Sequence, residues 1–348
     1  MYLNSIIAVY TRTYFLKNSP IQVILQKPDS ALSDILIFLV MTKLNNKSGI
    51  SLAFILTEAD TGLYRKIQDC NYLPAYKHCL RLKSIMKLDR KVSVITGAGR
   101  GLGRAIAVAM AREGAYTTII SRSLKELTGL KDEIEEAGGE TMVVKGDVSR
   151  EDDVNRMVVE TMRRFGRIDI LVNNAAVIGP ARFVEDADSG AWEKTIGINL
   201  NGAFYCSHTI CPIMVRQGGG KIVSIASGLG RMPFPRFCAY SVSKAGIIQL
   251  TRSLSEEFKA RNIQVNAIDP GVMDTGMQKQ IRDLGPEKLG QAVYESFVEY
   301  KKKDLLKDPG EVARLAVYLS STEADHLTGY YGTLNDYKRR IRDLLYLH

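Results

Sequence analysis

The segment from about residue 86 to residue 329 predicts an α/β fold: one doubly wound parallel sheet of about seven strands, with helices on both faces. Three observations predict it. Strand-like and helix-like runs alternate along the segment, the strand runs are short and apolar or β-branched, and the first of them ends in a glycine-rich turn that opens a helix. Alternation at this spacing implies parallel strands joined by crossover helices that cover both faces of the sheet.

The elements follow in order. Residues 91–95 read as a strand, and residues 104–112 are Ala-rich with helical spacing. Residues 116–120 are β-branched and lead into a helix over 124–136. A third strand over 141–145 precedes an amphipathic helix over 151–165, and a fourth covers 169–172. Further strands are expected at 221–225 and 263–267, with a helix over 240–259 between them.

Charge narrows the function classes. The chain of 348 residues carries +9 overall, but residues 1–85 hold +5 and residues 337–348 hold +3, which leaves +1 for residues 86–336. A nucleic-acid surface on the main domain would need a basic excess there. No nucleic-acid partner is therefore expected. The longest apolar run, residues 35–41, is far short of the roughly 20 residues a spanning helix needs, so no membrane partner is expected either. The N-terminus lacks a signal-peptide pattern. The five cysteines, at 70, 79, 206, 211 and 238, form no Cys-x-x-Cys pair, which suits a reducing cytoplasm. Cys206, His208 and Cys211 lie close together within an apolar helical stretch and read as core, so no metal is expected.

Two regions break the rhythm. Residues 1–85 show no period, repeat or motif, and form an N-terminal extension of unclear structure. Met86 then opens a stretch that reads like a natural start running straight into the first strand. Residues 330–348 form an atypical, basic C-terminal tail.

Between the first strand and helix lies Thr96-Gly97-Ala98-Gly99-Arg100-Gly101-Leu102-Gly103. A dinucleotide pyrophosphate needs close backbone approach and free N–H groups at a helix start, and glycine permits both. This is the logic of a Rossmann-type site, although the strict G-x-G-x-x-G spacing is not met. A tight turn with incidental glycines is the alternative.

Thr-Gly-x-x-x-Gly-x-Gly resembles the cofactor loop of the short-chain dehydrogenases/reductases, and further motifs follow in that family's order. Asp147-Val148 resembles its adenine-contacting pair, and Asn173-Asn174-Ala175-Ala176 its Asn-Asn-Ala-Gly, with Ala in place of the final Gly. Pro270-Gly271-Val272 with Thr275 resembles the segment that holds the nicotinamide carboxamide. The resemblance spans about residues 86 to 329 and is closest in kind to 3-oxoacyl-[acyl-carrier-protein] reductases. It implies an NAD(P)-dependent oxidoreductase acting on a ketone or secondary alcohol.

An acid at the end of the second strand would bind the ribose diol and repel a 2′-phosphate. That strand ends Ile120-Ser121-Arg122-Ser123, without one. Arg122, together with Arg100 in the glycine turn, suits a phosphate instead. NADP(H) is the expected cofactor and NAD(H) the alternative.

Tyr240-Ser-Val-Ser-Lys244 is weak as a bare motif, but four residues on a helix put both side chains on one face, at the carboxyl edge of the sheet. Hydride addition to a carbonyl leaves an alkoxide that needs a proton. A phenol gives one readily, and a nearby cation helps it recover as a base. Ser227 lies 13 residues before Tyr240 and resembles the family's catalytic Ser; Ser224, within the strand, competes with it. Asn199 resembles the residue that positions a water near the Lys, with Asn201 as the neighbouring alternative. The expected catalytic set is Asn199, Ser227, Tyr240 and Lys244.

Residues 178–186, 229–237 and 276–303 are expected to wall the substrate pocket. Their Ile178, Met232, Phe234, Phe237 and Met277 favour an acyl, alicyclic or aromatic ketone over a sugar phosphate. A polyol, sugar or alicyclic alcohol dehydrogenase using NAD, and a cofactor-binding regulatory protein without chemistry, are the alternatives. The resemblance implies a homodimer or homotetramer, and the chain is expected in the cytoplasm.

Overall fold

The computed structural model describes residues 10–15, 21–27, 35–44, 47–57 and 86–345, in two compact units divided after Ile85. In the first unit, β1 (Tyr10–Phe15), β2 (Ile21–Lys27), β3 (Ile35–Leu44) and β4 (Lys47–Thr57) pair antiparallel in chain order. Cys70 and Cys79 lie outside the described residues.

The second unit is built on seven parallel strands. They are β5 (Val92–Thr96), β6 (Tyr116–Ser121), β7 (Glu140–Lys145), β8 (Ile170–Asn173), β9 (Gly220–Ile225), β10 (Ile263–Asp269) and β11 (Tyr331–Thr333). Their order across the sheet is β11-β10-β9-β8-β5-β6-β7. The chain therefore runs outward from β5 in one direction, then returns and runs outward in the other. The reversal lies between β5 and β8, where the loops after these strands diverge and leave a crevice.

The expected doubly wound sheet is present, and residue alternation explains why it is covered on both sides. Ile95, Ile119, Val172 and Val223 enter one core with α1 (Gly101–Arg112), α2 (Leu124–Glu136) and α10 (Pro309–Ser320). Their immediate neighbours Val94, Ile120, Leu171 and Ile222 enter the opposite core with α3 (Glu151–Phe165) and α5 (Gly202–Arg216). Successive strand side chains point to opposite faces, so a strand buried on both must be apolar at nearly every position.

The helix ends are marked locally. Ser123 caps α2 by accepting the Glu126 N–H at 3.3 Å, and α3 ends at Gly166, which has φ +74. Helix α4 (Ser189–Ile196) passes through a π-turn at Gly197–Asn201 into α5. Helix α6 (Cys238–Phe258) follows β9. Helices α7 (Gly276–Asp283), α8 (Gly285–Leu289) and α9 (Gln291–Lys302) form an excursion between β10 and α10.

The basic segment left outside the domain by the sequence supplies the seventh strand and a terminal helix. β11 pairs with β10 over Ala267↔Tyr331, Ile268↔Gly332 and Asp269↔Thr333, and α11 (Leu334–Leu345) follows it. Tyr337 is 0% exposed, with its hydroxyl 3.0 Å from Ala267 O and 3.2 Å from Tyr330 O. Arg340 lies over the Tyr330 ring at 4.9 Å, which seats one of the tail's charges on an aromatic face.

Candidate active site

A cavity of about 850 Å³ opens at the carboxyl ends of the strands, around the reversal point. Of the residues expected to be catalytic or to bind the cofactor, all line it except Thr96 and Asn199, which hydrogen-bond to the lining residues Asn174, Ala175 and Val177.

The glycine turn is tied down from that wall. Thr96 Oγ1 donates to Val172 O at 3.2 Å and accepts the N–H groups of Asn174 and Ala175, both at 3.0 Å. The Asn174 amide donates back to Thr96 O at 2.8 Å and Gly97 O at 3.2 Å. Gly97 has φ +63, and a Cβ on it would come within 2.8 Å of the Ala175 Cα. Gly101 has φ +56, and a Cβ on Gly103 would overlap Gly97 O and the Asn174 amide. Arg100 at the N-cap of α1 makes no side-chain cap bond, so the first N–H groups of α1 remain available at the cavity. A glycine-floored cradle with free helix N–H groups fits a dinucleotide pyrophosphate.

At the far end of the cradle, Ser121, Arg122, Asp147 and Val148 line the cavity. Asp147 Oδ1 accepts from Ser149 N–H at 3.0 Å and Ser149 Oγ at 2.7 Å, while its Oδ2 lies 3.9 Å from Arg122. Arg100 lies 3.9 Å from Glu126. Both arginines are exposed and only loosely paired, as exposed ion pairs at that range are.

On the other side of the reversal, Tyr240 and Lys244 share the buried face of α6, at 9% and 2% exposure. Burial pushes the Tyr240 phenol up to about 12, while a hydrogen bond with Ser227 opposes the shift and the Asp269 charge adds to it. Burial pulls the Lys244 amine down to about 8. Lys244 Nζ donates to Ile225 O at 2.6 Å and lies 5.7 Å from the Tyr240 ring. Ser227, just past β9, reaches the cavity; Ser224 is buried within the strand.

The π-turn sets the two asparagines apart. It turns Asn199 inward, to 2% exposure, and leaves Asn201 at the surface. The Asn199 amide donates to Val177 O at 2.9 Å and to Ser243 Oγ at 3.0 Å. Pro270, Gly271, Val272 and Thr275 line the cavity opposite, with the Thr275 methyl group facing Gly101.

Beyond Tyr240 the cavity turns apolar. Phe234, Phe237 and Phe297 pack as a triad with ring centroids 5.7–6.4 Å apart, joined by Ile178, Leu229 and Met277. None of the described residues lining this part is charged.

Three residues of the site escape sequence reasoning. Glu126, three residues past the cap of α2, packs beside Gly99. Asp269 ends β10 and lines the cavity, and Tyr331 reaches toward it from β11. Glu126 has a signal that could have found it, its capping-box position three residues after Ser123. The contact of Asp269 with Tyr331 joins residues 62 apart and has no local signal.

Two other expectations concern groups outside the cavity. Cys206 and Cys211 are buried, which raises both thiols to about 12, and His208 stacks on Phe204 instead of facing them. Among the described residues, no helix is long and apolar enough to cross a membrane.

Comparison with known proteins places this geometry. The family model described as short chain dehydrogenase matches residues 91–284. A 3beta-hydroxysteroid dehydrogenase of Mediterraneibacter gnavus is 32% identical over 256 residues, covering 70% of this chain and 92% of that protein. A 3-oxoacyl-[acyl-carrier-protein] reductase of Thermotoga maritima is 33% identical over 244 residues, covering 70% and 96%. The crystal structure of NAD+-bound xylitol dehydrogenase superposes with a TM-score of 0.66 at 29% identity, covering 71% of this chain and 98% of that one. These relatives differ in what they act on but share one fold and one kind of chemistry: the chain belongs to the short-chain dehydrogenase/reductase family, oxidoreductases that act on alcohols and ketones.

Proposed function

We propose that this chain is an NADP(H)-preferring reductase of an uncharged, apolar ketone, or dehydrogenase of the matching secondary alcohol, with Tyr240 as its general acid/base. One observation carries the reading. Tyr240 and Lys244 lie on one buried helix face where the glycine-floored cradle meets the phenylalanine-lined part of the cavity, with Ser227 lining the cavity beside them.

The nicotinamide, when bound, supplies or accepts the hydride. Gly97, Gly101, Leu102 and Gly103 would hold the pyrophosphate, and Asp147 and Val148 the adenine. Asn174 and Ala175 would form the floor, and Pro270 to Val272 with Thr275 would hold the carboxamide end. Ser227 orients the substrate oxygen toward the Tyr240 hydroxyl. Tyr240 then delivers its proton to that oxygen in reduction and takes it back in oxidation. The Lys244 ammonium stabilises the phenolate form. Asn199 fixes the Val177 main chain, which lines the cavity beside these groups.

The apolar wall favours a 3-oxoacyl thioester or another apolar ketone over a sugar phosphate, because no charged side chain is there to pair with a phosphate. Arg100 and Arg122 support the 2′-phosphate of NADP(H). A second reading, an NAD-dependent dehydrogenase of an alicyclic alcohol or polyol, is favoured by Glu126, whose carboxylate lies by Gly99 and 3.9 Å from Arg100. The working enzyme starts near Met86 and assembles as a homodimer or homotetramer in the cytoplasm.

A panel of ketones and alcohols followed by nicotinamide absorbance tests the reading. Tyr240→Phe is expected to bind NADPH like the parent and lose turnover by at least about 100-fold; substantial residual turnover would remove Tyr240 from its role. A higher kcat/KM with NADH than with NADPH would select the second reading.

A further inference from the structure

Three strand ends meet under Ser227. Asp269 closes β10, Tyr331 opens β11, and the loop carrying Ser227 leaves β9. The Tyr331 hydroxyl lies 3.0 Å from Ser227 O and 3.1 Å from Asp269 Oδ2, between the two acceptors. The other carboxylate oxygen, Asp269 Oδ1, accepts the Gly271 N–H at 3.0 Å. One carboxylate thus ties the Ser227 loop to the loop over residues 270–275, and both loops line the cavity.

We propose that Asp269 and Tyr331 form a positioning pair that holds the loop carrying Ser227, and with it Ser227, in place for the reaction at Tyr240. The inference rests on the reading of Tyr240 as the acid/base. Its physical basis is the bridge itself: the Tyr331 hydroxyl between Ser227 O and Asp269 Oδ2 fixes where the Ser227 loop leaves β9. The Asp269 charge also adds to burial in holding the Tyr240 phenol up, since a carboxylate opposes a second negative charge nearby. Burial and the same carboxylate push the Tyr331 hydroxyl upward, so it stays a donor to the brace.

The other charged and titratable groups around this cluster come from every neighbouring element. Lys244 lies on the helix of Tyr240, Arg231 sits 5.8 Å over the Tyr331 ring, and Lys307 reaches Gly271 from beyond α9. Asp336 on α11 adds negative charge near Tyr331. Lys244 works against the pair and stabilises phenolate; Asp269 works with burial. The C-terminal strand therefore takes part in the site through one side chain.

The test uses the full chain and needs no substrate. Near-ultraviolet pH titration of the parent, minus that of Tyr240→Phe, isolates the phenol of Tyr240. Repeated in the Asp269→Asn background, this titration is expected to fall by about one pH unit. Asp269→Glu, which keeps the charge, is expected to restore it, as a purely structural role would not. Tyr331→Phe keeps the charge and loses the brace, so it should lower ketone kcat by about tenfold while NADPH affinity and circular dichroism stay as in the parent. An unmoved Tyr240 titration in Asp269→Asn, or parent-like kcat in Tyr331→Phe, would overturn the pair. A shifted titration supports it even if no ketone is turned over, an outcome that would count against hydride transfer instead.

Discussion

Asn199 is clamped on the main chain of Val177 from both sides: its Oδ1 accepts the Val177 N–H at 2.8 Å, and its Nδ2 donates to Val177 O at 2.9 Å. The side chain does the work of a strand partner where no strand is available. It also pins Ser243, which sits next to Lys244 in the chain.

Asn199→Ala would leave half-buried main-chain groups of Val177 without their partners, at a cost of about 1 kcal/mol. The expected outcome is a lower unfolding midpoint in urea and a kcat that falls more than KM rises. Asn201→Ala, at the exposed neighbour, is the control and should match the parent in both.

The pH dependence follows from two buried groups. In the proposed role, reduction would use protonated Tyr240, and burial holds that phenol up to about 12. Lys244, pulled down to about 8, keeps its charge below that pH and loses it above. Reductive kcat/KM should therefore hold through neutral pH and decline on the alkaline side. Oxidative kcat/KM should climb with pH as phenolate becomes available. An oxidative rate that falls steadily from neutral to alkaline pH would contradict this assignment.

Gly97→Ala places a methyl group in a left-handed conformation and against the Ala175 backbone. The strain is about 1–3 kcal/mol, and relief would require the glycine turn to move away from Ala175. NADPH affinity should drop by about tenfold or more, read by quenching of protein fluorescence. Gly276→Ala, where a Cβ meets nothing within 4 Å, should bind as the parent does.

Tyr337 tests whether the basic C-terminal segment is part of the folded domain in solution. Tyr337→Phe loses one buried hydroxyl and should cost about 1 kcal/mol. Tyr337→Ala also opens a cavity and should cost about 3–5 kcal/mol in urea unfolding. A Tyr337→Ala chain as stable as the parent would mean that this segment is a loose tail.

Much of this protein was legible from local pattern. The helices over Leu124–Glu136 and Glu151–Phe165 have the limits their periodicity predicts, and each strand of the Rossmann-type sheet before residue 270 lies within two residues of its apolar run. The glycine turn and the Tyr240–Lys244 pair were legible for the same reason. Their geometry is local: a turn that needs left-handed backbone, and two side chains one helical turn apart. Contacts between distant segments were not legible. The inward placement of Asn199 and the outward one of Asn201 come from a π-turn bonded to Val177, and Glu126 lies at the cradle because α2 runs beside Gly99. β11 lasts only three residues and has no apolar run of its own. It joins the sheet because β10 offers a free edge, and it brings Tyr331 to Asp269. The sequence by itself determined the layered sheet, the glycine cradle and the helix face that Tyr240 and Lys244 share, since each follows from residues near one another in the chain. Only the tertiary structure decided which carboxylates and hydroxyls surround Tyr240, because hydrogen bonds across 60 or more residues depend on how the strands close together.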